Sequence, residues 1–407
     1  MPKNRIITGL DIGTSEIKAL AVLKNSDNKT LEFLGQIRCP SFGVRKGIVV
    51  KTEEVSKRIS EVLSQLQQEI GQKIEDVFTN VGGSHIFTTP SHGSIVVSRA
   101  DQRISEEDKD RVIQTARTFP LPLNKEILSI FPREFIVDSQ GQVKDPLNMH
   151  GLKLEVKIIA LCAFSPFVKN LTAAVVDGGV QISDVVPSIL ASAAAVLTPQ
   201  QKELGVCILD IGAGTTDMAI YEEGDLVHVA VFPVGSELIT NDIAIGLKTD
   251  QETAERVKRE FGSCISSGGG KKEKISQVSQ QGNGEPLIFT RKMLAKIIGA
   301  RVSEILGMAA QEIKKVSPKS VLPAGIVLTG GGSMLPKIVD FAKKETKLPI
   351  RIGLPEGITG LDRDPTLSAA AGLVLEGADS ENNNRMLPIF HGGVGGKIKK
   401  VFSFFIP

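Results

Sequence analysis

Leu10-Asp11-Ile12-Gly13-Thr14-Ser15 closes one apolar run, and Leu209-Asp210-Ile211-Gly212-Ala213-Gly214-Thr215-Thr216-Asp217 closes another. Each segment sets a carboxylate at the end of a strand-like stretch, then a glycine turn edged with hydroxyls. Gly13, Gly212 and Gly214 let backbone N–H groups approach phosphate oxygens with no Cβ in the way. Thr14, Ser15, Thr215 and Thr216 add hydroxyl donors. Asp11 and Asp210 repel bare phosphate; they make sense if hydrated Mg2+ lies between carboxylates and phosphates. Lys18 either supplies a point charge to a β- or γ-phosphate or is simply solvated. Two such turns, facing each other, grip one nucleotide from both sides.

A third glycine turn follows a third apolar run, Gly325-Ile326-Val327-Leu328-Thr329-Gly330-Gly331-Gly332-Ser333-Met334. Its three bare glycines would let a flat purine lie against the backbone, beside Ser333 and Met334. Within Ala254-Glu255-Arg256-Val257-Lys258, Glu255 and Lys258 fall one helical turn apart. That pair suits a ribose and the edge of a base, or it is an ordinary ion pair on a helix.

These turns need strands to aim them. Residues 5–12, 17–23 and 31–37 read as strands, the first two joined as a hairpin by the glycine turn. Val55, Ile59, Val62, Leu63, Leu66 and Ile70 then recur at helical spacing, and residues 76–81 read as a parallel strand. The order repeats: strands at 205–211, 217–222 and 226–232, then a helix from about Ser236. Two related lobes are expected, and the class is α/β. Extra material at 83–165 has its own turn residues, a polar helix near 105–118 and apolar runs at 94–98 and 154–163. It is expected to be an inserted subdomain. A second insertion, 249–318, reads as a charged helix at 250–262, a polar loop from Gly262 to Pro286 and a long helix at 290–316. The loop's Gly268-Gly269-Gly270-Lys271 is no Walker sequence, because its glycine spacing is wrong and no Ser or Thr follows Lys271.

At 407 residues the chain exceeds one core. A net charge of +2, no Trp and a single Tyr argue against a nucleic-acid surface. Cys39, Cys162, Cys207 and Cys264 form no CxxC pair, which fits a reducing compartment without structural zinc. Met1 to Arg5 lead into a strand-like run and not a signal peptide, and no stretch is apolar enough to span a bilayer. A cytoplasmic chain is expected.

The last residues differ in character. After a glycine-rich linker at 379–395, residues 396–407 place Ile398, Val401, Phe402 and Phe405 on one helical face, with Phe404 flanking it. Lys397, Lys399 and Lys400 lie off that face. This is a basic amphipathic helix for an anionic lipid surface, or a segment folding back on the core. Each buried apolar side chain contributes roughly 1.5–3 kcal/mol, and each lysine about 1 kcal/mol near anionic lipid. Binding through one short helix is therefore weak and reversible, and multiplied by oligomerisation.

Phosphate loop one at 10–18, phosphate loop two at 209–217 and an adenosine loop at 328–334 resemble the actin, sugar-kinase and heat-shock-chaperone ATPase superfamily. Small-residue runs at 188–196 and 366–373 match its two connecting helices. Within it the chain is most similar to the FtsA family of bacterial division proteins, over nearly all its length. The resemblance includes the inserted subdomain, Glu203-Leu204-Gly205-Val206-Cys207 before loop two, Ala324-Gly325-Ile326-Val327-Leu328-Thr329-Gly330-Gly331, and the tail.

The resemblance implies an actin-like two-lobed fold of duplicated ribonuclease-H-like domains, with an inserted subdomain and a C-terminal amphipathic helix. Residues 1–82, 166–197 and 358–378 would form the first lobe. Residues 198–248 and 319–357 would form the second, with 249–318 as its upper subdomain. It also implies ATP and Mg2+ as cofactors, filament formation with itself, other division proteins as partners, and anchoring of FtsZ. The location would be the cytoplasmic face of the bacterial inner membrane at the septum. The FtsZ C-terminal peptide would meet the 249–318 subdomain, where Arg291, Lys292 and Arg301 suit an acidic peptide or form a solvated basic face. Hydrolysing relatives carry Glu or Gln in the first connecting helix, whereas 186–195 holds neither. ATP binding with slow or undetectable hydrolysis is expected. A pilus-assembly actin homologue and a sugar-kinase-branch phosphotransferase are the rival readings; a chaperone would need a peptide-binding domain after the clamp.

Overall fold

The computed structural model describes residues 5–25, 30–266, 275–279, 286–317 and 322–380. Strands β1 (Arg5–Ile12), β2 (Glu16–Lys24) and β3 (Leu31–Pro40) form an antiparallel meander. Two residue pairs, β4 (Val44–Arg45) and β5 (Ile48–Val49), make a minimal hairpin before helix α1 (Thr52–Ile70). The helix buries Val55, Ile59, Val62, Leu63 and Leu66 as one stripe and stops at Gly71, whose φ of 67° needs no Cβ penalty. Strand β6 (Asp76–Val81) then pairs parallel to β1.

The insertion comprises β7 (Phe87–Val96), α2 (Glu106–Arg117), β8 (Lys125–Val137), β9 (Gln140–Val143) and β10 (Lys153–Phe164). Its sheet runs β7-β10-β8-β9 and closes over a separate core of Ile104, Val112, Phe135, Leu154, Val156 and Ile158. The expected strands at 94–98 and 154–163 correspond to the end of β7 and to β10, whereas β8 and β9 had no counterpart in the sequence reading. The chain returns through α3 (Ser165–Asp177), β11 (Gln181–Pro187), α4 (Ser188–Val196) and α5 (Pro199–Leu204).

The second lobe is β12 (Val206–Ile211), β13 (Thr216–Glu222), β14 (Asp225–Phe232), α6 (Ser236–Leu247), α7 (Gln251–Phe261), β15 (Ile275–Ser279), β16 (Pro286–Thr290), α8 (Arg291–Val316), β17 (Ile326–Thr329), α9 (Ile338–Thr346) and β18 (Ile350–Ile352). The stretch read as loop from Gly262 to Pro286 contains β15, which pairs antiparallel with β16. Strand β19 (Ile358–Thr359) returns to the first lobe beside β3, and α10 (Ser368–Ser380) ends the described chain. This helix extends two residues past the expected start of the linker at 379.

The duplication is explicit in the sheets. Lobe one runs β3-β2-β1-β6-β11 and lobe two β14-β13-β12-β17-β18, each an antiparallel trio followed by two parallel strands. Helices α4 and α10 cross between the lobes. A Cβ on Gly372 would fall 1.7 Å from the Ala191 carbonyl oxygen, so this crossing requires glycine.

Candidate functional site

Both glycine turns close in the same way. Gly13 N–H donates to the Glu16 carbonyl at 3.0 Å, and Gly212 N–H to the Thr215 carbonyl at 2.9 Å. The turns touch each other: a Cβ on Gly214 would come 2.6 Å from Thr14 Oγ1. Lobe-two turn carbonyls are held by the start of α6, where Ser236 N–H donates to Gly212 and Glu237 N–H to Ala213. Among the described residues, the amides of Thr14, Ser15, Ala213 and Gly214 have no protein acceptor. Such clustered orphan N–H groups on two opposed turns suit an anion.

The carboxylates differ. Asp11 accepts from Asn80 Nδ2 at 2.7 Å and pairs with Lys18 Nζ at 3.2 Å. Asp210 accepts only from Ser192 Oγ, at 2.5 Å, among the described residues. Burial, and then the Asp11 charge, push its carboxyl up to about 6. Asp217, its neighbour across the hairpin, is pushed up to about 7 by burial and then by Asp210, and its Oδ1 has no partner. Among the described residues no three such side chains are spaced to ligate a metal directly, but withdrawn carboxylates short of positive charge, one with an orphan oxygen, suit a divalent cation that keeps its waters. Asp217 stood within the sequence motif without a role; an acid in the apolar run Asp217-Met218-Ala219-Ile220-Tyr221 was the available signal. Asn80 and Ser192 were also missed. Asn80 lies near the carboxyl end of a parallel strand, where α/β sheets place ligand groups.

The third turn abuts the second. Gly330 has φ 77°, and its Cβ would come 2.2 Å from Asp210 Oδ1; a Cβ on Gly332 would meet Ile211 Cγ2 at 2.3 Å. Packing on β12 therefore explains two of the three glycines, and only Gly331 stands open as a flat base requires. Ser333 is buried, donating to the Gly330 carbonyl at 2.7 Å, while Met334 is exposed.

Glu255 and Lys258 form the ion pair, 2.5 Å apart. Lys258 also donates to Thr240 Oγ1 and to the Ser236 carbonyl, which ties the pair to the base of loop two. Burial raises the Glu255 carboxyl, but hydrogen bonds from Lys258, Thr240 and Arg259 outweigh it and lower it. Of the proposed partner residues, Arg291 and Lys292 are exposed at the start of α8. Arg301 is committed to Asp242 through two bonds of 2.8 and 2.9 Å, and to Glu304. Residues 396–407, read as a membrane helix, lie outside the described residues. No described helix is long and apolar enough to cross a membrane.

Comparison with known proteins agrees with this geometry. The chain is 34% identical to Cell division protein FtsA of Pseudomonas aeruginosa over 95% of its length and 92% of that protein. It is 33% identical to Cell division protein FtsA of Bacillus subtilis, covering 92% and 84% of the two chains. Among solved structures, the PilM-PilN type IV pilus biogenesis complex gives a TM-score of 0.65 at 18% identity, covering 91% of this chain and 98% of that one. MreB5 of Spiroplasma citri bound to ADP gives 0.56 at 15% identity, covering 94% and 100%. These likenesses show an actin-like fold. Residues 83–162 match the SHS2 domain inserted in FTSA, which accounts for the subdomain between the two halves of lobe one. Residues 207–372 match the family Cell division protein FtsA. With relatives at this identity along nearly its full length, the chain belongs to the FtsA family of cell-division proteins.

Proposed function

We propose that this chain is an ATP-binding division adaptor that assembles into actin-like filaments and tethers the FtsZ ring to the membrane through residues 396–407. The observation that carries the nucleotide part is the contact of Thr14 with Gly214, which brings two sets of unpartnered amides to one seam. The Thr14, Ser15, Ala213 and Gly214 amides take the phosphates, with Lys18 as a point charge. Asp11, Asp210 and Asp217 hold Mg2+ through its waters. When bound, the metal neutralises phosphate charge against these carboxylates. Gly331 and Met334 border the base, with Glu255 and Lys258 toward the ribose.

Hydrolysis is slow in this reading. Helix α4, which reaches Asp210 through Ser192, has no Glu or Gln to orient a water. Lost general-base assistance is typically worth roughly 10²–10⁴-fold. Bound ATP then acts by setting lobe closure and filament competence. A second neighbour in fold comes from pilus assembly, but the family assignment favours division over that role.

Equilibrium titration with ATP and magnesium tests the site, and saturable one-to-one binding is expected. Single-turnover phosphate release is expected to be slow; a rate matching actin-like filaments on assembly would refute the hydrolysis reading. Liposome co-sedimentation with and without residues 396–407, repeated with FtsZ, tests the tether. Recovery of FtsZ with anionic liposomes after deletion of 396–407 would end it. Double charge reversal at Arg291 and Arg301 is expected to weaken FtsZ binding. Given the Asp242 pair, reversal at Arg291 alone is the cleaner variant.

A further inference from the structure

The hairpin of β4 and β5 is a small element in an unusual place. Its two central residues, Lys46 and Gly47, have φ of 48° and 73°, the mark of a type I′ turn. Asn-Gly is the usual sequence there; a lysine in the left-handed region costs about 1 kcal/mol. The tip is wedged at the meeting of three segments. Gly47 N–H donates to Thr14 Oγ1 of loop one at 2.9 Å. The Lys46 Cα lies 2.9 Å from where a Cβ on Gly214 of loop two would stand. Behind the turn, a Cβ on Gly47 would come 2.9 Å from the Gly83 nitrogen, at the root of the inserted subdomain.

The charges near the two loops separate the lysines. Without a ligand, Lys18 is already paired with Asp11, and Lys258 with Glu255. Lys46 is exposed and makes no hydrogen bond or ion pair among the described residues. Its flexible four-carbon stem starts at the seam between two turns whose amides lack acceptors. An unpaired cation held there by a strained turn is arranged for a ligand with more negative charge than one lobe's amides can satisfy.

We propose that Lys46 contacts the terminal phosphate of the bound nucleotide, so that the β4–β5 tip acts as a latch that distinguishes triphosphate from diphosphate. This rests on the nucleotide reading above. The Gly47–Gly83 contact joins the same tip to the root of the inserted subdomain.

The test compares Lys46→Asn and Lys46→Arg with the unaltered full chain, titrated separately with ATP and ADP in magnesium. Asn suits the turn better, so Lys46→Asn is expected to unfold no lower than the parent without nucleotide. Its ATP affinity is expected to fall about ten-fold relative to ADP, the loss of one charge-assisted contact. Lys46→Arg keeps the charge and is expected to stay within about three-fold of the parent. An unchanged ATP-to-ADP ratio in Lys46→Asn would overturn the latch while leaving nucleotide binding intact. Equal damage in both variants would trace the loss to the turn and overturn it too. A parent chain that binds neither nucleotide would remove the nucleotide reading itself, and the latch with it.

Discussion

The two lobes place different charges at one structural position. In lobe one the hairpin register sets Asp11 opposite Lys18, and in lobe two the equivalent register sets Asp210 opposite Asp217. One pair is opposite in sign and neutralises itself; the other is like in sign, and both its carboxyls are driven upward. The two lobes share the scaffold and differ in the sign of one residue. Lobe one is complete without a ligand, whereas lobe two is short of positive charge until something brings it. The metal–nucleotide proposed above would therefore be attracted chiefly by the second lobe and met by the amides of both.

The comparison breaks most readily at Lys18. Lys18→Met leaves Asp11 buried with Asn80 as its remaining side-chain donor, and removing one partner of a buried pair typically costs about 3–5 kcal/mol. Urea unfolding without nucleotide measures this. A loss under about 1 kcal/mol would mean that the pair behaves as a surface one.

Asp108 of the inserted subdomain separates burial from partnership. Its side chain is closed off from solvent, as that of Asp217 nearly is, but it is far less deeply embedded, and its carboxyl moves the other way. Burial alone would raise it; the Ser105 and Ser98 hydroxyls and amides, with Arg111, outweigh that and hold it at about 2. Asp108→Asn turns an amide NH2 toward these donors and is expected to cost about 3 kcal/mol at neutral pH. The sign of the pH effect follows from a folded value below the ordinary one. The stabilisation is full above about pH 4 and is lost as pH falls toward 2, by roughly 2 kcal/mol. The difference between parent and variant stability, followed from pH 6 to 2.5, should therefore shrink as acid is added. A constant gap would show that the carboxylate charge is irrelevant.

Lobe two should respond in the opposite direction. Asp217→Asn removes one of two like charges, and without ligand it is expected to raise stability by roughly 2 kcal/mol at pH 7.5. The same variant should lose the stabilisation that magnesium and ATP are expected to confer on the parent in a thermal melt. A destabilised ligand-free variant would place Asp217 among structural carboxylates such as Asp108.

Much of this arrangement is legible in the sequence because strand periodicity and glycine turns are local signals. β1, β2, β12 and β13 alternate or run apolar into Gly13 and Gly212, and the long helices α1 and α8 declare themselves by spacing. The missed elements break those local rules. β8 carries Pro132 in its middle, tolerated because the register shifts there opposite Lys157 and Ile158. Of β7 only the end was legible, because Pro90 interrupts its first half, where it is tolerated in an edge strand. The β4–β5 hairpin has two-residue strands and Lys-Gly where Asn-Gly would have announced it. Asn80 was visible as a residue but not as a partner, since its role arises only when strands far apart in sequence pair; Asp217 faces Asp210 within one hairpin, and what hid its role was the absence of a counter-charge, which shows only once the fold is closed.

The smallest test refines the partnership argument. Ser98 gives Asp108 two contacts, its hydroxyl at 3.0 Å and its amide at 3.3 Å, and Ser98→Ala removes only the first. The amide and the Ser105 pair remain, so the expected loss is about 1 kcal/mol, that of a single hydrogen bond. The acid transition should move upward by a few tenths of a pH unit. Thr215→Val, beside Asp217, removes the hydroxyl that favours the charged form of that carboxyl. The carboxyl it leaves is already driven toward its neutral form, so the ligand-free protein should lose less than Ser98→Ala does. Equal losses at the two sites would mean that hydroxyls stabilise buried carboxyls whatever their charge, and the contrast between satisfied and waiting carboxylates would then rest on Lys18 alone.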